Sequence, residues 1–285
     1  MNENKVNINW YPGHMAKTKR LIGEKLNLID VIYEVVDARM PYSSKIKDID
    51  SFIKNEPRII IFNKTDLCDK NETNKWIKYY ENKGYKVISL SLEGNVNLKP
   101  LIKLTEELME TINQKRENKG MIKRKTRILI VGIPNVGKST FINSYAGKAC
   151  AKTGNKPGVT KGKQWIRLNK NVELLDTPGI LWPKFEDQTV GLRLALIGSI
   201  KDEILNIDEL AVELVTFLLE KYPGVIGKRY EVDENKEITD IIFDIAKNRN
   251  CVLKGGDADY SKACSLVIDD FRTGKLGQIT LEWVE

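Results

Sequence analysis

Residues 127–140 read RILIVGIPNVGKST, and no other stretch restricts the fold as much. Ile128 to Val131 is an apolar run of the kind that forms a parallel strand buried on both faces. It leads into Gly132-x-x-x-x-Gly137-Lys138-Ser139 and then a helical pattern through about Ala146. Strand, glycine-rich loop and helix in that order make a phosphate-binding loop. The glycines let backbone N–H groups turn inward around phosphate oxygens, and the helix start adds a favourable dipole. Asn135, Val136, Gly137 and Thr140 fall within this cradle. Lys138 is expected to reach the β- and γ-phosphates, serving binding and catalysis, and Ser139 to ligate Mg²⁺. The unit calls for an α/β fold, a mostly parallel sheet with helices on both faces.

Two further segments fit the same chemistry. VELLDTPGI (172–180) is an apolar run ending in Asp176-Thr-Pro-Gly179. An acid at the carboxyl end of a strand is the expected second Mg²⁺ anchor, and the Gly179 N–H is placed to sense a γ-phosphate. Between them, Thr160 in KPGVTKG (156–162) is positioned to offer its hydroxyl to Mg²⁺. Base choice is expected elsewhere. RIIIFNKTDL (58–67) is a strand followed by Asn63-Lys64-Thr65-Asp66. A carboxylate accepts from both the N1–H and the exocyclic amine of guanine, a pair that adenine lacks. Asp66 is therefore read as the guanine selector, with the Lys64 stem against the base and Asn63 supporting the loop. The short strand expected in KVISLSLEG (86–94) ends near Ser91 and Leu92, where a backbone N–H would meet guanine O6.

The order of these parts is rotated. The base loop comes at 63–66 and the phosphate loop at 132–139, so the chain reads as a circular permutation of a P-loop GTPase domain. Such a permutation is tolerated where domain termini lie close together. The Asp176 to Gly179 switch then leads directly into the remaining residues. These carry three stripes of helical period: Ile207, Leu210, Ala211, Leu214, Val215, Leu218; Ile238, Ile241, Ile242, Ile245; and Tyr260, Ala263, Cys264, Val267, Ile268, Phe271. The expected division is a GTPase domain over 1–188, with a lead-in at 1–28, and a small all-helical domain over 189–285.

Charge suggests a partner. The formal net charge is +7, yet residues 191–285 hold 12 Lys+Arg and 18 Asp+Glu, a net of −6, which leaves +13 for residues 1–190. KRENKGMIKRKTR (115–127) carries seven basic residues against one acid, and residues 148–170 carry seven and no acid. Clustered Lys and Arg beside a phosphate-binding motif favour a polyanion such as RNA. No apolar run approaches the roughly 18 residues of a membrane span. The four cysteines form no C-x-x-C pair, so reduced thiols and a cytoplasmic protein are expected.

WYPGHM, Asp37-Ala38-Arg39-x-Pro41, Asn63-Lys-Thr-Asp66, Gly132-Ile-Pro-Asn-Val-Gly-Lys-Ser139, Pro157-Gly-Val-Thr160 and Asp176-Thr-Pro-Gly179, in this rotated order, resemble the ribosome biogenesis GTPase A family of circularly permuted GTPases. The ending GGDADYSKACSLVIDDFRTGKLGQITLE is also similar. The loop Ser91-Leu92-Glu93 departs from the usual Ser-Ala-Lys. The resemblance implies late assembly of the large ribosomal subunit, contact with rRNA and ribosomal proteins, and stimulation of hydrolysis by the subunit. A monomer is expected, with no membrane or DNA partner.

Many GTPases place a water-orienting glutamine just after the Asp-x-x-Gly switch. Here that position is Ile180. His14, the single histidine, precedes an expected helix at about 15–28 and is similar to the family's N-terminal histidine, to which catalysis is attributed. Its alternatives are RNA contact or a local cap. Asn135 either shapes the phosphate loop or, as in related potassium-stimulated GTPases, ligates K⁺. A GTP-sensing binding module with little hydrolysis, and a GTPase acting on another RNA, remain as rival functions.

Overall fold

The structure, a computed structural model, describes residues 20, 23–24, 26–47, 49, 53, 56–91, 96–120, 124–147, 164–167, 171–177, 179 and 187–284. Among these residues six strands pair: β1 (Val31–Asp37), β2 (Arg58–Asn63), β3 (Lys86–Ser89), β4 (Thr126–Val131), β5 (Gln164–Arg167) and β6 (Val172–Asp176). Their spatial order is β3-β2-β1-β4-β6-β5. Every pairing is parallel except that of the edge strand β5 with β6. The sequence explains the layout. All of β1 and nearly all of β2 are buried, as their apolar runs require, whereas β3 at the edge is exposed at both ends and half-buried between them. Glu34 is the exception inside β1. Its buried carboxylate accepts from the Ile46 N–H at 3.0 Å and pairs with Arg58 at 3.4 Å, so the charge is not left alone.

Helices α1 (Lys70–Asn82), α2 (Lys99–Glu117) and α3 (Lys138–Ala146) connect these strands. The rotation inferred from motif order appears here as topology. From the edge strand β3 the chain runs through α2 and enters β4 at the centre, passing over β2 and β1. From β1 it continues to one side and from β4 to the other. The carboxyl ends of these two neighbours form the switch point at which open α/β sheets bind ligands. Because the strands are parallel, the loops after β1, β2, β4 and β6 all open on that edge.

Among the described residues five helices follow: α4 (Gln188–Leu196), α5 (Ile207–Lys221), α6 (Val225–Tyr230), α7 (Ile238–Asn248) and α8 (Tyr260–Arg272). The three expected stripes are their buried faces, with only the leading Ile207, Ile238 and Tyr260 partly open. Capping fits the sequence too. Asn206 accepts from the Glu209 N–H at the start of α5, with Asp208 and Glu209 in the first turn and Lys221 in the last. The same hydrophobic core continues from β1 and β4 into α5, α7 and α8. After α8 the chain returns to the sheet. The Ile279 N–H donates to Leu67 O at 3.0 Å, the Leu281 N–H to Arg39 O at 2.8 Å, and Trp76 Nε1 to Glu282 O at 3.0 Å. This tail crosses the division expected at residue 188. Of the expected helix at 15–28, the described residues Arg20, Gly23 and Glu24 are α-helical and Leu26–Leu28 form a 3-10 turn.

The basic run at 115–127 is partly spent on the fold. Arg116 and Arg124 both pair with the buried Asp30, and Lys125 and Arg127 both pair with Glu173. Most of the run at 148–170 lies outside the described residues. Among the described residues, no helix is long and apolar enough to cross a membrane.

Candidate nucleotide site

The phosphate loop sits between the end of β4 and the start of α3. Gly137 caps α3 with φ 95, the left-handed region that glycine enters without a Cβ clash. Asn135 also has a positive φ, 63, a conformation that asparagine tolerates better than most residues. Lys138 is buried, and its ammonium donates to the carbonyls of Gly132 and Ile133 at 3.0 and 2.7 Å. Burial lowers its pKa to about 8, opposed by the nearby Asp176. Burial raises Asp176 to about 6, against the pull of Lys138 and the Thr177 N–H. The switch loop touches the phosphate loop directly: a Cβ on Gly179 would lie 2.6 Å from the Pro134 nitrogen. Only glycine allows that approach. Thr177 ties the same segment to β4 by donating to Ile130 O at 2.8 Å.

The base loop is joined to the phosphate loop by its own motif residues. Asn63 Nδ2 donates to Val136 O at 2.7 Å, and Lys64 Nζ donates to Asn135 O at 2.8 Å. Lys64, at φ 60, spans from one loop to the other. Its ammonium is engaged with protein, at the Asn135 carbonyl and the Asp37 carboxylate. Ser91 acts through its side chain: its hydroxyl donates to Asp66 Oδ1 at 2.7 Å and orients the carboxylate.

Beneath both loops lies a buried charge cluster that pattern reading passed over. Asp37, at the end of β1, takes a two-pronged contact from Arg39, at 3.0 Å from Nε and 2.8 Å from Nη2, and a third from Lys64 at 3.1 Å. Burial would raise the Asp37 pKa, but Arg39 and Lys64 outweigh it and hold the carboxyl well below the usual range. The Arg39 guanidinium also lies over the Phe271 ring, 5.0 Å from its centroid, and donates to Phe271 O at 3.3 Å. Asp37-Ala-Arg39 is thus a strut between the base loop and α8. Removing one member of a buried pair leaves the other uncompensated. Arg39→Ala is expected to lower unfolding stability by about 3 kcal/mol or more, read as a fall in denaturant midpoint at constant slope. An unchanged midpoint would show that Lys64 alone satisfies Asp37.

The phosphate loop is braced from the same side. Asn135 Nδ2 donates to Ile197 O at 2.6 Å, and Ser199 Oγ donates to Pro134 O at 2.6 Å. Arg272, at the end of α8, secures that turn through Ala195 O and Leu196 O at 2.9 and 3.0 Å. No periodicity or motif marks Ile197 or Ser199, so only the folded chain reveals them, and Arg272, although part of the quoted ending, is given this contact only by the fold. The Asn135 bond uses its amide nitrogen, so any cation would have to take Oδ1.

A divalent cation suits this edge. Asp176 Oδ1 is buried with no hydrogen-bond partner, an expensive arrangement for a carboxylate unless something positive meets it. An oxygen donor of this kind matches Mg²⁺. Ser139 is the second residue of α3, directly after Lys138. His14, Leu92, Thr160 and Ile180 lie outside the described residues.

Comparison with known proteins agrees with this arrangement. A family model described as 50S ribosome-binding GTPase matches residues 127–253, and one described as RsgA GTPase matches residues 52–186. Ribosome biogenesis GTPase A of Bacillus cereus is 49% identical over 279 residues, covering 98% of this chain and 94% of the relative. That of Thermotoga maritima is 33% identical over 275 residues, covering 96% and 94%. Among solved structures, GNP-bound YlqF from T. maritima is 28% identical with a TM-score of 0.64, covering 94% of this chain and 98% of that one. A GDP-bound TM YlqF gives 26% and 0.65, covering 93% and 99%. With its phosphate loop, base loop and switch on one edge of a rotated sheet, and with such relatives along nearly all its length, this chain belongs to the ribosome biogenesis GTPase A family of circularly permuted P-loop GTPases.

Proposed function

We propose that this chain hydrolyses GTP on the large ribosomal subunit during its assembly, binds there in the GTP state and leaves after hydrolysis. The observation that carries the reading is the convergence of Lys138, Asp176 and the Asn63-Lys64-Asp66 loop on one sheet edge, braced by α8 and the turn after α4. Residues 1–188 form the GTPase part. Residues 189–285 form the helical part that carries its state to the partner, as a monomer in the cytoplasm.

Within this reading, Val136 to Thr140 line the phosphates with backbone N–H groups, and Lys138 holds the charge that grows on the β- and γ-oxygens. Asp66 selects guanine, fixed by Ser91, with Leu92 beside the base. Ser139, Thr160 and Asp176 hold Mg²⁺. An ion held there would supply positive charge against the phosphate oxygens. Gly179 reports the γ-phosphate. His14 orients the attacking water that Ile180 lacks the atoms to hold.

Hydrolysis measured with and without purified large subunits tests the function. Stimulation of about tenfold or more supports it. His14→Ala is then expected to keep GTP affinity and to lose about a hundredfold in stimulated single-turnover rate, the lower range for a positioned proton-transfer group. An unchanged rate would remove His14 from catalysis. Asn135 Oδ1 is the atom proposed for K⁺, so hydrolysis should be faster in potassium than in sodium buffer. Equal rates would leave Asn135 as a loop-shaping residue. Ile180 favours one rival, a GTP-sensing module with slow turnover. That rival predicts nucleotide-dependent subunit binding without stimulated hydrolysis.

A further inference from the structure

A second concavity lies away from the nucleotide loops. It measures about 390 Å³ and sits between the segment after β1, the end of α1 and the start of α4. Four tyrosines line it: Tyr42, Tyr79, Tyr80 and Tyr85. Three lysines, Lys45, Lys47 and Lys83, stand among them. Asp187 is the acid on its rim, and it caps α4 by accepting from the Thr189 N–H. None of Asn63 to Asp66 or Gly132 to Thr140 contributes to it.

The lining is ordered chemistry rather than a chance patch. Tyr80 is the buried floor, edge-on to Tyr79 and Tyr85 at 5.3 and 5.9 Å between centroids. Cations lie on the neighbouring rings, with Lys83 Nζ 4.2 Å from the Tyr79 centroid and Arg58 4.7 Å from that of Tyr85. Tyr42 stands apart. It is 60% exposed at the mouth, while its backbone N–H is fixed to Glu282 at 2.8 Å. A flat ring on an anchored backbone, left open and flanked by cations, matches the way unpaired strands are bound: a base on an aromatic face and the backbone on lysine. Duplexes present phosphates but no free base face. The basic run at 115–127, the surface that charge alone would select, has Arg116, Arg124, Lys125 and Arg127 committed to Asp30 and Glu173.

We propose that this groove binds single-stranded RNA, stacking one unpaired base on Tyr42 and holding the adjoining phosphates with Lys47 and Lys83. The proposal rests on the reading of the partner as an RNA-containing particle. It adds to that reading a place of contact and a preference for unpaired nucleotides.

The test uses the full chain and a labelled single-stranded RNA of about 12 nucleotides, within the span that such surfaces cover, followed by fluorescence anisotropy. Tyr42→Ala should weaken binding about tenfold, within the range for loss of one stacked base, and Tyr42→Phe should restore it. Lys83→Gln should flatten the salt dependence by a slope of about 0.7, one phosphate contact on a single strand. A duplex of equal length should bind more weakly and ignore Tyr42. Intrinsic GTP hydrolysis should be unchanged in all three variants. Wild-type affinity in Tyr42→Ala would overturn the proposal. So would equal losses in the Ala and Phe variants, or displacement of the strand by a poly-glutamate peptide as readily as by unlabelled RNA. Absence of subunit-stimulated hydrolysis in the wild type, with these RNA results intact, would sink the ribosomal reading and leave the groove standing.

Discussion

Lys138→Ala should reduce single-turnover GTP hydrolysis by at least about a hundredfold, the scale seen when one preorganised charge-stabilising donor is removed. Lys138 is the cation that the phosphate loop itself supplies, and the fold has already taken it out of water. Its ammonium is held over the loop by the Gly132 and Ile133 carbonyls, and burial keeps its pKa near 8, so it is mainly protonated at neutral pH. Charge on the β- and γ-oxygens would meet it in a site where little solvent screens the attraction. Hydrolysis is to be measured with enzyme in excess, so that weak binding is separated from slow chemistry. A thermal melt would establish that the loop survives without its lysine. A rate within about threefold of wild type, in a folded variant at saturating nucleotide, would move the main charge stabilisation elsewhere.

Asp66→Asn is expected to cost about ten-thousandfold in preference for GTP over ATP, the range for a site built to pair a substrate N–H that loses its acceptor. Ser91 aims this carboxylate through a 2.7 Å hydrogen bond, and the Asn63 and Lys64 contacts lock the loop that carries it against the phosphate cradle. An amide at position 66 has one acceptor and one donor, so it meets the guanine amine with a donor against a donor. The same amide suits a base with a 2-oxo group, and binding of xanthosine triphosphate should rise as GTP binding falls. Competition with labelled GTP measures both. Retained guanine preference in Asp66→Asn would assign the selection to backbone groups.

How far these sites were legible depended on the reach of each signal. The phosphate loop was read from contiguous residues because its chemistry is local: strand, glycine turn and helix start lie within 14 residues, 127–140. The three helical stripes were equally local, and they are the buried faces of α5, α7 and α8. The rotation was legible because motif order is itself a sequence property. By contrast, Asp37-Ala-Arg39 was quoted as a family signature without a physical role. Its role lies in an ion pair to Lys64 and a contact with Phe271, 232 positions away from Arg39. Counting lysines and arginines at 115–127 likewise did not reveal that Asp30 and Glu173 fold against four of them.

The sequence by itself determined the rotated P-loop GTPase fold, and it supplied the proposed chemistry: a phosphate cradle, a metal-facing acid and a guanine selector. Each needs only a few neighbouring residues, whose types set backbone conformation and donor–acceptor pattern directly. Tertiary structure alone decided how those parts are held. It brought the tail at 279–282 back onto the Asp37 and base loops, pinned the phosphate loop to Ile197 and Ser199, and gathered four tyrosines and three lysines into one groove. Those contacts join positions far apart in the chain through buried hydrogen bonds and packing, and they acquire an energy only once the intervening residues have folded.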